Sequence, residues 1–106
     1  MIYNVQESRI DSNGENYICG MLEEPTLENG LWNGCKAFNI TNNHKRQTAT
    51  VSTFVWLRGV PAKWEVKKVL KNEVVSVSEI ERVLKESGVI QWNGSISKSK
   101  KGSVRS

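Results

Sequence analysis

The sequence has few of the patterns that identify common protein classes. Its two cysteines, Cys19 and Cys35, are too few for the disulfide framework of a small secreted domain. No apolar run approaches the roughly 18 residues of a membrane span. Residues 1–6 lack a basic segment followed by an apolar stretch, so no secretory signal is predicted. The expectation is a cytoplasmic protein that does not enter a membrane.

Catalytic and metal-binding patterns are also missing. The only soft metal ligands are Cys19, Cys35 and His44, at unrelated spacing, whereas a structural zinc site generally takes four ligands. A Cys/His nucleophile pair needs hydrogen-bonding reach, and Cys35 and His44 stand about nine residues apart, roughly 30 Å along an extended strand. No glycine-rich phosphate loop or nucleophile elbow occurs. We therefore predict no enzyme, no metal and no other cofactor.

The charge of the chain is unevenly distributed. The net formal charge is +4 over 106 residues. Residues 1–35 carry six carboxylates against one arginine, a net charge of −5, whereas residues 36–106 carry 14 lysines and arginines against five glutamates, a net charge of +9. Such asymmetry is typical of a surface that faces a polyanion. An acidic partner segment within the same chain is the alternative interpretation.

The hydrophobic pattern predicts one α+β domain over 1–96, followed by a disordered basic tail over 97–106. The composition is that of a globular chain, with 38% hydrophobic and 25% charged residues. Residues 1–7 and 16–22 contain the β-forming residues of two strands, which begin an N-terminal antiparallel sheet. Between this sheet's second strand and the next lies a turn-rich loop, whose Trp32 is expected to tuck against the core.

A hairpin over about 35–58 is the clearest predicted element. Its two strands are joined by the short polar link 42–46. The odd positions of the second strand form the expected core face. They are Ala49, Val51, Thr53, Val55 and Leu57. The even positions begin polar and end with Phe54, Trp56 and Arg58, on a face that is either open to solvent or covered by a helix.

Two helices are predicted to follow the hairpin. The first, over about 61–72, has a proline in its first turn and apolar residues at i, i+4, i+7 and i+8. These apolar residues are Ala62, Val66, Val69 and Leu70. The second helix, over about 78–87, begins with a capping box of Ser78 and Glu81. A short strand at 89–92 is predicted to end the domain.

The outer face of the first predicted helix carries the main candidate site. At about 100° per residue, Trp64 lies opposite the apolar stripe. Three lysines surround it on that face: Lys67, Lys68 and Lys71. Lysines neutralise phosphates, and an exposed indole stacks on an unpaired base. Four further residues are predicted to extend this nucleic-acid-binding surface: Arg58, Trp56, Lys45 and Arg46.

A structural role is the alternative for these aromatic residues. Trp64 would then fold back over the sheet, as large aromatic side chains in cores do. Phe54 and Trp56 would be covered by one of the helices, because two helices must pack on some face of the sheet.

The leading hypothesis is a small, non-enzymatic, cytoplasmic protein that binds DNA or RNA. The link between the two predicted helices is longer than a helix-turn-helix turn, so single-stranded or structure-directed binding is favoured over major-groove reading. The alternative function is a protein-binding adaptor or inhibitor whose exposed tryptophans dock on an acidic protein partner. A homodimer, in which the acidic segment 1–35 contacts the basic face of a second copy, is a further alternative.

Overall fold

The structure, a computed structural model, describes residues 2–90. Five of its strands form one sheet: β1 (Tyr3–Glu7), β2 (Glu15–Met21), β5 (Cys35–Asn43), β6 (Thr48–Leu57) and β7 (Val60–Lys71). The sheet is antiparallel throughout, in the order β1-β2-β5-β6-β7. Strands β3 (Leu27–Glu28) and β4 (Leu31–Trp32) form a separate small hairpin. A 3-10 turn, Val77–Glu79, leads into the short helix α1, Ile80–Glu86.

One face of the sheet is covered by α1. Residues that pair directly across antiparallel strands share a face, and Ile18, Ile40 and Val51 form such a row across β2, β5 and β6. All three are fully buried and belong to one cluster with the helix residues Val83 and Leu84. This face, called the helix side below, therefore holds the main hydrophobic core.

A buried amide attaches the segment between β7 and the helix to the sheet. The Asn42 side chain, fully buried in β5, donates from Nδ2 to the Val75 carbonyl at 2.9 Å. Its Oδ1 accepts the Val75 N–H, also at 2.9 Å. Buried peptide groups without partners are costly, and this one side chain satisfies both groups of Val75. It thereby fixes the point at which the chain passes from sheet to helix.

The second predicted helix is present, but a different pair of residues caps it. The backbone N–H of Ser76 donates to Glu79 Oε1 at 3.2 Å, and the Ser76 hydroxyl donates to the same oxygen at 3.0 Å. These bonds, together with Arg82, lower the pKa of the Glu79 carboxyl. The predicted capping box of Ser78 and Glu81 is wrong because Ser78 already lies inside the 3-10 turn.

The first predicted helix, over 61–72, is wrong, because this segment is the strand β7. Arg58 and Gly59 both have positive φ, 53° and 78°, as a two-residue type I′ hairpin turn requires. The chain therefore folds straight back onto β6 after Leu57. Pro61 is compatible with this strand because β7 is the edge of the sheet, where proline is tolerated.

Two β-bulges explain why β7 has helix-like apolar spacing. Its register with β6 shifts between Val51 and Ser52 and again between Thr53 and Val55. At each shift β7 contains one residue more than β6, which breaks the period of two expected of a strand. The resulting spacing imitates that of a helix for four residues: Ala62, Val66, Val69 and Leu70.

The hairpin predicted over about 35–58 is present as β5 and β6. The two strands pair continuously from Cys35 and Trp56 to Asn43 and Thr48. The domain is thus a five-stranded sheet with one short helix, and not a hairpin followed by two helices.

The end of the domain also differs from expectation. Val89 and Ile90 were predicted to start a strand, but they follow α1 as irregular backbone. The remainder of that strand and the basic tail over 97–106 lie outside the described residues.

Candidate functional site

Four aromatic side chains form a continuous row on the face of the sheet opposite α1, called the open face below. Trp32 of β4 contacts Trp56 of β6 edge to face, with ring centroids 5.2 Å apart. Trp56 contacts Phe54 in the same manner at 5.4 Å. Phe54 stacks on Trp64 of β7 at 4.4 Å, with 29° between the ring planes. We call these four residues the aromatic row.

The β3–β4 hairpin holds one end of the aromatic row in place. The Asn33 side chain accepts the backbone N–H of Arg58 at 3.0 Å. The backbone N–H of Gly59 donates to the Trp32 carbonyl at 2.8 Å. These bonds attach the small hairpin to the β6–β7 turn, which brings Trp32 onto Trp56.

Trp64 is the exposed end of the aromatic row. Phe54 is only 6% exposed, whereas Trp64 is 55% exposed. Farther along the same face of β7, Val66 and Val69 are 63% and 52% exposed. The indole therefore faces solvent, as the nucleic-acid hypothesis requires, although from a strand and not from a helix.

The structure does not gather the predicted lysines around Trp64. Lys71 pairs with Thr48 on the open face, but at the far end of β7, roughly 20 Å from Trp64. Lys68 pairs with the buried Val51 and so lies on the helix side. The helical face on which these lysines were expected to meet does not exist, because alternate residues of a strand point to opposite faces.

Lys67 is engaged by a carboxylate on the helix side. Its Nζ lies 2.9 Å from Glu65 Oε2, and Glu65 pairs with Thr53, on the same face as the buried Phe38. The strand nevertheless carries four lysines against this one glutamate, a net charge of +3; they are Lys63, Lys67, Lys68 and Lys71. The positive charge thus lies along both sides of the edge strand β7, Val60–Lys71, and is not concentrated on the open face. We call this strand with its four lysines the β7 border.

The remaining predicted basic residues lie at opposite ends of the sheet. Arg58 is exposed in the β6–β7 turn, at the end that carries the aromatic row. Lys45 and Arg46 are exposed in the β5–β6 turn at the other end, where Lys45 Nζ donates to the Ser12 carbonyl at 2.9 Å. A ligand that touches both ends must follow the sheet for roughly 30 Å, the length of β6.

A cavity of about 240 Å³ opens beside the aromatic row. It is lined by Met21, by three members of the row and by Asn4 and Gln6 of β1, two amide-bearing residues that are exposed. Met21 also belongs to a small buried cluster with Cys35, Ala37 and Phe54. The cavity therefore combines a rigid apolar wall with a few hydrogen-bonding groups, as small-ligand sites do.

The surroundings of Cys19 and Cys35 favour a structural role for both thiols over a reactive one. Burial raises the pKa of the Cys19 thiol, which disfavours the reactive thiolate. Cys35 is buried in β5, and its Sγ accepts the backbone N–H of Thr26 at 3.0 Å. This bond ties the loop before β3 to the sheet.

Over residues 2–90, no group of three or more histidine, cysteine, aspartate or glutamate side chains is arranged to hold a metal ion. The single helix in this range is too short to cross a membrane.

Three residues of this region were not identified from the sequence as site residues: Trp32, Asn4 and Gln6. The turn signal Asn29-Gly30 locates the small hairpin, but no local pattern indicates that it folds over Trp56. Asn4 and Gln6 lie at the cavity because β1 pairs with β2 in the sheet. That order depends on contacts between residues far apart in the chain.

Comparisons of the chain with protein-family models, with curated proteins and with solved structures found no match.

Proposed function

We propose that the protein binds single-stranded nucleic acid along the β7 border, with bases stacked on the aromatic row. One observation carries the proposal: Trp64 is 55% exposed, is supported from behind by Phe54, and stands on a strand of net charge +3. A base that stacks on such a ring gains about 1–3 kcal/mol. The proposal includes a cytoplasmic location and no catalytic activity.

The lysines lie on both sides of β7, whereas the aromatic row lies on the open face only. This arrangement suits a nucleic-acid single strand that runs along the edge of the sheet. Lysine has a flexible four-carbon stem, so lysines on either side of an edge strand can reach phosphates that follow that edge. Each phosphate neutralised releases counterions. The bases then turn inward over the open face, where Trp64 is the first ring they meet.

The helix α1 is unsuited to reading a duplex in the major groove. Such reading requires a helix or a β-ribbon that enters the groove, and α1 packs against the sheet through Val83 and Leu84. Its outer face carries Glu81 and Glu86, and Arg82 is engaged by Glu86 at 2.9 Å. Carboxylates on this face repel phosphates, which leaves the β7 border as the surface for a polyanion.

The first test replaces the exposed ring. Fluorescence anisotropy of a labelled oligothymidylate of about 15 nucleotides measures the affinity at about 50 mM and 200 mM salt. We expect Trp64→Ala to weaken binding by about 1–3 kcal/mol because one stacked base is lost. The matched control is Ile10→Ala, since Ile10 is 56% exposed in the loop between β1 and β2 and lies outside the aromatic row. Its affinity should equal that of the unaltered protein.

Two results would overturn the proposal. One is the absence of binding at the lower salt concentration, and the other is an equal affinity of Trp64→Ala and Ile10→Ala. A duplex of the same length that binds as tightly as the single strand would refute the preference for unpaired bases.

A second prediction concerns the salt dependence. Lys71→Gln is expected to reduce the slope of log affinity against log salt by about 0.7, the value for one phosphate contact on a single strand. Arg82→Gln removes one positive charge from the opposite side of the protein and should leave the slope unchanged. Equal slopes for the two variants would show that net charge alone, and not the β7 border, governs binding.

A protein partner is the second candidate function, favoured by the apolar residues beside Trp64. Val66 and Val69 are more than half exposed, and within residues 2–90 no strand pairs with the outer edge of β7. A strand from an acidic partner would add to this edge through backbone hydrogen bonds. Failure of the oligonucleotide to bind at low salt would favour this candidate.

A further inference from the structure

We infer that the cavity beside the aromatic row is a base-recognition site that prefers adenine. The inference rests on the proposed function and adds sequence preference to it. Its basis is the juxtaposition of two amide-bearing residues of β1, Asn4 and Gln6, with aromatic residues of β4 and β6 around one cavity.

The size and walls of the cavity suit one planar ring system. Its volume of about 240 Å³ lies below the range of about 300–1,000 Å³ typical of sites for drug-sized ligands. Trp32, Phe54 and Trp56 supply aromatic surface on one side. Unpaired bases are commonly held in this way, splayed out and stacked on aromatic side chains. Phe54 lines the cavity and also stacks on Trp64, so this one side chain joins the cavity to the exposed ring.

The polar lining distinguishes between the four bases. Arginine or lysine reads guanine, a carboxylate reads cytosine, and asparagine or glutamine pairs with adenine through a donor and an acceptor side by side. The cavity is lined by Asn4 and Gln6 and by no charged side chain. Within the described residues, neither amide is engaged in a hydrogen bond with another side chain or with the backbone. Both are thus free to bind a ligand.

A β-bulge lies next to the two amide-bearing residues in β1. Tyr3 pairs with Met21 and Gln6 with Cys19, so two residues of β1, Asn4 and Val5, stand opposite one residue of β2. The backbone of Asn4 has a φ of 54°, a conformation that asparagine tolerates better than most residues. Bulges of this kind redirect side chains and are frequent beside functional sites.

The test uses oligothymidylates of about nine nucleotides whose central position is adenine, cytosine, guanine or thymine. We expect the unaltered protein to bind the adenine-containing strand about tenfold more tightly than the all-thymine strand, the effect of one bidentate contact. Gln6→Leu removes an amide while keeping its size, and Asn4→Gly removes the other without straining the backbone. Each should abolish the preference while retaining affinity for the all-thymine strand.

Asn39→Ala is the matched control, because Asn39 carries an amide on the open face but does not line this cavity. It should retain the adenine preference, and a thermal unfolding curve for each variant verifies that it folds. Equal binding of all four strands by the unaltered protein, or an adenine preference that survives in Gln6→Leu, overturns the inference and leaves the proposed function standing. Failure of every strand to bind overturns the proposed function and this inference together.

Discussion

Replacing Asn42 with alanine is expected to lower the free energy of unfolding by about 2–4 kcal/mol. The reason is that the Asn42 side chain makes two hydrogen bonds of 2.9 Å to the backbone of Val75, which is itself only 3% exposed. Alanine would leave a buried N–H and a buried carbonyl without partners, each of which costs about 1–3 kcal/mol. Urea denaturation measures the change as a lower midpoint at constant slope.

Asn39→Ala is the matched control for this prediction. Asn39 lies on the same strand but faces the opposite side of the sheet, where its amide donates to the Thr41 hydroxyl at 3.0 Å. Its loss should cost less than about 1 kcal/mol, because water can replace a part-buried partner. Equal destabilisation by the two substitutions would contradict the attachment of the Val75 segment through Asn42.

The second large effect is expected from Leu84→Ala, which should cost about 2–5 kcal/mol. Leu84 is fully buried between α1 and the sheet, in one cluster with Ile18 and Ile40. The substitution removes apolar contacts and leaves a cavity that the rigid sheet cannot close. Thermal unfolding should show a midpoint lower by more than about 8 °C, given about 4–8 °C per kcal/mol for a domain of this size.

Leu27→Ala removes the same atoms from a residue that is 67% exposed. It should change stability by no more than about 0.5 kcal/mol, as surface substitutions generally do. If the two leucine variants unfolded at the same temperature, α1 would not be docked on the helix side.

The contrast between β6 and β7 shows when a strand can be predicted from sequence. In β6 the alternation is unbroken, and Ala49 and Val51 are buried as predicted, whereas Thr53, Val55 and Leu57 are only half-buried. Phe54, on the other face, is buried against the aromatic row and not under a helix. In β7 the extra residues at the two bulges shift the alternation twice. The apolar residues then fall at a spacing that a helix also produces, so periodicity alone selected the wrong element.

The candidate site was predictable only in part. The sequence left open whether Trp64 faces solvent or folds back over the sheet, and in the structure the ring is 55% exposed. The lysines expected around it depended on the geometry of a helix, and on a strand Lys68 and Lys71 point to opposite faces. The cavity was not foreseen, because its walls come from β1, β4 and β6, which no local pattern brings together.

Composition, the net charge and its division between an acidic and a basic segment, and the β5–β6 hairpin with its core face follow from the amino-acid sequence by itself. Each depends on residue content or on neighbours within one short segment. The identity of β7, the burial of one sheet face under α1 and the meeting of the aromatic row with Asn4 and Gln6 were decided by the tertiary structure. These features depend on bulges and strand order, and both arise from pairing between segments that are distant in the chain.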